Sequence, residues 1–307
     1  MPSARHERLF STMPRWELKF DDQGFPKPLR DLEGRVDAIR GIGDAQALEG
    51  PCISIVGSRK ATPYGLACAR MAGRVAAECG ITVVSGGAVG CDYEASRAAL
   101  DAGGRTVIIP GCGADRLYPS SSDDIFCDAI GRGGAVVSIE HWGQPPTKWT
   151  FVRRNDAIAA LSSSLVVCEA GRPSGTFGTA TTAAELGRRV YAVPGSIFSP
   201  LSRGTNWLIE SGASVVADEE ALESLVSLDY GRLRLVSPKT RNQRGELLDA
   251  LVASPMLPDD IADLLGLDMP STLVTLAEHE AAGLVERLRD GRFAPTKEAL
   301  LGQNVHL

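Results

Sequence analysis

Two short segments rich in glycine and serine have the residue types that bind phosphate. The first, Gly57-Ser58-Arg59, follows the apolar run Cys52–Val56, and the second, Ser85-Gly86, ends the apolar run Ile81–Ser85. Each separates a predicted strand from a predicted helix, so several backbone N–H groups at the helix start lack a partner. Those donors and the helix dipole attract anions. The sequence therefore predicts two anion-binding loops at one edge of a parallel sheet, and a ligand that carries phosphate.

Cations and an aromatic ring accompany these loops. Arg59 directly follows the first loop, where its guanidinium is suited to a bidentate phosphate contact; an ion pair with Asp92 or another carboxylate is the alternative. Lys148 and Phe151 belong to a segment that sets aromatic rings beside cations, a mixture that binds single strands by stacking bases and contacting phosphates. Packing against the core is the alternative for Phe151. These residues predict a cationic pocket for a nucleic-acid strand.

Two neighbouring arginines, Arg153 and Arg154, fall at a predicted helix start. Cations at this place oppose the helix dipole unless an anion is present. We expect one of them to contact the ligand and the other to pair with an internal carboxylate.

The composition limits the class of protein. With 307 residues, of which 44% are hydrophobic, the chain can bury a substantial core in one or two domains. The formal charge of −6 excludes a globally basic coat, so nucleic acid would bind at a local cationic patch. We find no apolar run near the roughly 18 residues of a membrane span and no signal-peptide core. We therefore expect a cytoplasmic protein without a membrane partner.

Cysteine and histidine do not cluster as metal ligands do. The seven cysteines include no C-x-x-C pair, and the four histidines are scattered. Small buried thiols in a reducing compartment account for the cysteines. We predict no metal site and no cofactor.

Strand and helix patterns alternate through residues 51–230. Apolar, β-branched runs recur, each followed by a helical pattern, which predicts a doubly wound parallel sheet of the Rossmann-like α/β class. Residues 1–50 show weak periodicity and much charge, and we expect an extended lead-in that packs on the core. The predicted strands are Cys52–Val56, Ile81–Ser85, Thr106–Ile109, Ala135–Ile139, Leu165–Glu169, Arg189–Val193 and Ser214–Val216.

A smaller domain is predicted at residues 244–307, after a polar linker at residues 231–243. It holds three amphipathic helical patterns and an alternating run across Asp290-Gly291, a dipeptide that favours a type I′ hairpin. Three helices and a β-wing predict a winged helix. Its third helical segment, Ser271–Ala282, contains no lysine or arginine, so we expect a role in partner binding or dimer support rather than duplex reading.

Six motifs occur in a fixed order: Gly57–Gly65, Ser85–Asp92, Gly111–Pro119, Phe151–Asn155 with Ala159–Ser162, Glu169–Gly175, and Val193–Asn206. Together they resemble the DNA-processing protein A family (DprA, also called Smf). The resemblance implies a homodimeric protein that binds single-stranded DNA, protects it during natural transformation in competent cells and loads the RecA recombinase, without catalysis. Val89 stands where the family's motif has an arginine, a departure that removes one cation usually directed at DNA.

The residue chemistry and the resemblance together define the predicted site. No catalytic residue is predicted. The predicted DNA- and phosphate-binding residues are Gly57, Ser58, Arg59, Ser85, Gly86, Lys148, Phe151, Arg153, Arg154, Asn155, Ser174, Gly175 and Thr179.

Two alternatives use the same loops. The segment Ser174–Glu185 is similar to the Gly-Thr-x-x-Glu motif of the LOG-type nucleoside-monophosphate phosphoribohydrolases, whose glutamate acts in cleaving an N-glycosidic bond. That position is Thr182 here, and Glu185 comes about one helical turn later, so an enzyme would depend on a displaced carboxylate. The second alternative is a nucleotide sensor without catalysis, in which one phosphate is held by Gly175, Gly178 and Thr179.

Overall fold

The computed structural model describes residue 10, residues 12–234 and residues 245–300. The chain divides into two compact units, and the boundary falls between residues 235 and 236. Most of the predicted linker, residues 231–243, lies outside the described residues.

Nine strands form the sheet of the first unit and pair in the order β1-β2-β6-β5-β4-β3-β7-β8-β9. They are β1 Arg15–Lys19, β2 Ala38–Gly43, β3 Cys52–Val56, β4 Thr82–Ser85, β5 Thr106–Ile108, β6 Ala135–Ser138, β7 Ser164–Val167, β8 Arg189–Ala192 and β9 Ser214–Val215. Strands β3 to β9 run parallel and lie within two residues of their predicted bounds, so the Rossmann-like sheet is confirmed. The strand order reverses between β3 and β7, and open α/β sheets bind ligands at the carboxyl ends of strands at such a point.

The first fifty residues, expected as an extended lead-in, add two strands to the sheet. β1 and β2 pair antiparallel, and β2 joins β6 antiparallel, so the sheet is mixed at this edge. The pattern of these strands is weak because β2 contains Arg40 and two glycines. Gly41 is required since a Cβ there would collide with the Trp16 ring opposite it. Arg40 is buried with its charge paired to Glu17 at 3.1 Å.

Seven α-helices of the described first unit cover the two faces of the sheet. Val83 and Val84 are neighbours in β4, yet they belong to different apolar clusters because successive strand residues point to opposite faces. Helices lie over both clusters, so the doubly wound arrangement is confirmed. The helices are α1 Pro63–Glu78, α2 Cys91–Asp101, α3 Asp123–Gly131, α4 Lys148–Leu161, α5 Thr176–Glu185, α6 Arg203–Glu210 and α7 Glu219–Tyr230.

The second unit has the elements of a winged helix in their expected order. They are α8 Gly245–Ala253, α9 Pro258–Leu265, α10 Met269–Ala281, β10 Val285–Arg287, β11 Phe293–Pro295 and the short α11 Lys297–Leu300. The hairpin turn is not type I′, which needs two residues with positive φ. No described non-glycine residue has a positive φ, whereas Gly291 has φ +88°. Because Leu288 N–H donates to the Arg292 carbonyl at 2.7 Å, the turn is a three-residue loop with glycine at its left-handed position.

Candidate functional site

A cavity of about 270 Å³ opens where β3 and β7 end. It lies at the switch point of the sheet, beside the N-terminal ends of α2 and α5 and the middle of α4. Its lining combines backbone of three loops with two guanidinium groups and one carboxylate. The lining residues are Val56, Gly57, Ser58, Arg59, Ala88, Asp92, Arg154, Asn155, Ile158, Ser174, Gly175, Thr176 and Thr179.

The first loop, residues 57–60, is held in place by hydrogen bonds to Glu169. Ser58 N–H donates to the Glu169 carbonyl at 2.8 Å, and the buried Glu169 carboxylate accepts from Thr62 N–H at 2.7 Å and from its hydroxyl at 2.6 Å. Thr62 in turn caps α1. A Cβ on Gly57 would lie 2.6 Å from the Cys91 sulfur, so only glycine fits there. These contacts fix the loop while Ser58 lines the cavity and Arg59 stays exposed at its mouth.

The second loop, residues 85–90, has a different arrangement. Ser85 is fully buried and its hydroxyl donates to the Ile55 carbonyl at 2.7 Å. The backbone amides of Gly86 and Ala88 bond to the carboxylate of Asp92, the second residue of α2. The chain therefore supplies this helix N-terminus with its own anion, and Ser85 and Gly86 are not among the residues that line the cavity.

Arg154 provides a buried positive charge at the cavity wall. Its side chain donates to the carbonyls of Gly86 and Ile109, both at 2.7 Å, while its Nε has no hydrogen-bond partner among the described residues. Burial raises the pKa of the Asp92 carboxyl in spite of the nearby Arg154 guanidinium, and burial lowers the pKa of Arg154. Each charge thus depends on the other for its stability inside the protein.

Arg59 lies over an aromatic ring rather than beside a carboxylate. Its guanidinium carbon is 4.9 Å from the Phe151 ring centre, and that of Arg154 is 5.7 Å from the same ring. The Tyr118 ring, 43% exposed, lies 6.0 Å from that of Phe151. Within the described part of the chain Arg59 forms no ion pair, so the alternative contact with Asp92 is not made. Tyr118 is an addition to the predicted site; its signal is its place in the motif Gly111–Pro119.

The remaining predicted residues of α4 have separate surroundings. Lys148, the first residue of the helix, is exposed, one turn before Phe151. Arg153 bonds to both carboxylate oxygens of the buried Glu140, at 3.1 and 3.2 Å. Asn155 lines the cavity and donates to the Gly175 carbonyl at 3.4 Å. Of the two neighbouring arginines, Arg153 therefore pairs with an internal carboxylate, and Arg154 lines the cavity.

The third loop, residues 168–175, connects β7 to the start of α5. Ser174, Gly175 and Thr179 all line the cavity, and the Ser174 hydroxyl accepts from Thr176 N–H at 3.2 Å. Glu185 is exposed at the opposite end of this helix. At 1.5 Å per residue it lies about 13 Å along the axis from Thr176, so it does not reach the cavity.

Thr182, which occupies the position of the hydrolase glutamate, is buried and donates to Asp156 at 2.8 Å. Among the lining residues Asp92 is the one carboxylate, and it is already bonded to the second loop. The described residues contain no group of three or more side chains suited to a metal ion. Nor does any helix among them combine the length and apolar character needed to cross a membrane.

Comparisons with known proteins cover both units. A family model described as DNA recombination-mediator protein A matches residues 17–227, and one described as DprA winged helix domain matches residues 236–291. Protein Smf of Escherichia coli (strain K12) is 32% identical over 282 residues, which cover 88% of this chain and 75% of that protein.

Two solved structures have the same fold. DNA processing protein A of Streptococcus pneumoniae matches with a TM-score of 0.65 and 31% identity over 75% of this chain and 78% of that one. DNA processing protein A of Helicobacter pylori, solved for its single-stranded DNA binding mode, matches with a TM-score of 0.65 and 26% identity over 72% of this chain and 99% of that one.

Proposed function

The chain belongs to the DNA recombination-mediator protein A family, and we propose that it binds single-stranded DNA at the cavity between β3 and β7. The observation that carries this proposal is the position of Arg59. It is an exposed cation without an ion pair in the described part of the chain, and it lies over Phe151 at the mouth of a cavity lined by three loops. A phosphate and a base are the ligand groups that fit this pair of side chains.

The mechanism is capture without catalysis. One phosphate enters the cavity and meets the first loop, the N-terminus of α5 and the Arg59 guanidinium, a charge-assisted contact. The adjoining base stacks on the outer face of the Phe151 and Tyr118 rings. Lys148, one turn away on α4, attracts the next phosphate.

The position of the aromatic rings favours a strand over an enclosed nucleotide. Phe151 and Tyr118 are not among the residues that line the cavity of about 270 Å³. We infer that phosphate and sugar fill it while the bases stay outside on the aromatic rings. The hydrolase alternative has no support from the position of Glu185, which is at the far end of α5.

The wider role follows from the family. We propose that the protein acts in the cytoplasm as a homodimer, protects single strands during natural transformation and passes them to the RecA recombinase. The relative from Helicobacter pylori binds single-stranded DNA, which supports the binding of single strands by this protein.

Fluorescence anisotropy of a labelled oligothymidylate, at two salt concentrations, tests the proposal. Arg59→Ala should weaken binding about tenfold, because a hydrogen bond to a charged group contributes about 1.5–3 kcal/mol. It should also flatten the dependence of affinity on salt. Lys19→Ala, which removes an equal charge from the exposed edge strand β1, is the matched control. If Arg59→Ala binds the strand as tightly as Lys19→Ala does, the proposal is wrong.

A further inference from the structure

A second group of cations and aromatic rings lies on the other side of the third loop. The Arg172 guanidinium carbon is 4.6 Å from the Trp207 ring centre, and the Phe177 ring meets Trp207 edge-on at 5.3 Å. This group, Arg172, Phe177 and Trp207, sets a guanidinium over an aromatic ring, as Arg59 and Phe151 do. A planar guanidinium over an indole ring keeps its outer face for a base and its N–H groups for a phosphate.

The cavity and the second group share the loop that follows β7. Arg172 is two residues before Ser174, which lines the cavity, and Phe177 directly follows Thr176, which also lines it. Trp207 lies on α6, and α6 is tied to this loop because Gly204 N–H donates to the Ala170 carbonyl at 2.8 Å. The second group is therefore continuous with the cavity across the N-terminus of α5.

Exposure and charge at this place favour a nucleic-acid ligand. Phe198, in the loop that follows β8, is 86% exposed. Its loop packs on the same β7 loop, since a Cβ on Gly171 would lie 3.3 Å from the Pro200 carbonyl oxygen. Arg172 and Arg203 are exposed and have no carboxylate partner among the described residues.

We propose that the second group (Arg172, Phe177 and Trp207), together with the exposed Phe198 of the neighbouring loop, forms a second stacking site for single-stranded nucleic acid. The strand runs from Tyr118 and Phe151, over the cavity, to this second group. This inference rests on the proposed function, because the strand reaches the second group only through the cavity.

Oligothymidylates of graded length test the second site. The double variant Arg172→Ala/Phe198→Ala should bind a long strand about tenfold more weakly, because a stacked base contributes about 1–3 kcal/mol. A thymidine trinucleotide, which fills the cavity alone, should bind the double variant and the wild type equally. Lys19→Ala/Leu228→Ala is the control, since it removes one cation and one apolar side chain that is 83% exposed from elsewhere on the same unit.

The outcomes separate the two proposals. Wild-type affinity of the double variant at every length overturns the second site, and so does an equal loss for short and long strands. If Arg59→Ala leaves the affinity unchanged for every length, the proposed function itself fails. As a direct readout, a long strand should quench Trp207 fluorescence, seen as a difference between the wild type and Trp207→Phe. Equal quenching in these two proteins argues against stacking at this place.

Discussion

The loops after β3 and β4 have similar sequences and different chemistry. Both leave a buried strand through glycine and serine, and both precede a helix, so both were predicted to bind phosphate. The first loop has Arg59 exposed at its end and lines an open cavity. The second has its Gly86 and Ala88 amides bonded to Asp92. An internal carboxylate is present at both helix starts, but that of Glu169 bonds to Thr62 and leaves Ser58 and Arg59 facing the cavity, whereas that of Asp92 takes the amides of the second loop itself.

The difference is visible in the first turn of each helix. α1 begins Pro63-Tyr64-Gly65 and has no acidic residue in its first turn, whereas α2 begins Cys91-Asp92. An aspartate at the second helical position is stabilised by the helix dipole and by the unpaired amides. The aspartate at the second position of α2 thus indicates, from the sequence alone, that the amides of the second loop bind an internal carboxylate.

The largest effect is expected from removing that internal anion. Asp92→Ala removes a carboxylate whose charge favours the buried Arg154, and it leaves two buried backbone amides without an acceptor. A buried donor left without an acceptor costs about 1–3 kcal/mol of the free energy of unfolding. Because two amides lose their acceptor together, the loss should be the largest of the series, and urea unfolding measures it. A loss of less than about 1 kcal/mol would mean that the carboxylate does not hold the second loop.

Added sulfate sharpens this test. Because the variant has an empty anion site in the second loop, sulfate should stabilise Asp92→Ala more than it stabilises the wild type. Sodium chloride at equal ionic strength is the control for general salt effects. Equal stabilisation of both proteins by sulfate would contradict the view that Asp92 occupies the anion site of the second loop.

A medium effect is expected from filling the space under the first loop. Gly57→Ala places a methyl group 2.6 Å from the Cys91 sulfur and 3.1 Å from the Glu169 carbonyl oxygen. Overpacking of this kind costs about 1–3 kcal/mol of unfolding free energy, and displacement of the loop should also weaken oligothymidylate binding. Gly178→Ala is the control, because a Cβ there meets nothing within 4 Å. If both alanine variants unfold at the same urea concentration, the first loop is less constrained than its contacts indicate.

The sequence was sufficient for the parallel sheet and for most of the cavity. Strands β3 to β9 are continuous apolar runs, and such runs are readable without knowledge of the partner strand. β2 was missed because Gly41 makes sense only once Trp16 lies opposite it. Glu169 belongs to one of the six motifs. Its role in holding the first loop depends on contacts with Ser58 and Thr62, which are more than 100 residues away in the sequence.

Arg153 and Arg154 show the same limit within a single helix. Successive helical residues are turned by about 100°, so neighbours in sequence face different surroundings. Arg154 is 4% exposed at the cavity, while Arg153 points to the Glu140 carboxylate in the segment that follows β6. The sequence predicted that one arginine contacts the ligand and the other pairs with a carboxylate. It could not say which is which, because Glu140 lies thirteen residues earlier, just after β6.

The smallest effect on DNA binding is therefore expected from Arg153. Its charge is already satisfied by Glu140, so Arg153→Ala should change oligothymidylate affinity less than about twofold, far less than Arg59→Ala does. The variant should still lose about 1 kcal/mol of unfolding free energy, since it leaves a buried carboxylate without this partner. Glu140→Gln makes the converse change. It releases the Arg153 guanidinium for phosphate, and the salt dependence of binding should steepen as one further cation engages the strand. A tenfold loss of affinity in Arg153→Ala would instead place Arg153 on the DNA and remove the contrast between the two arginines.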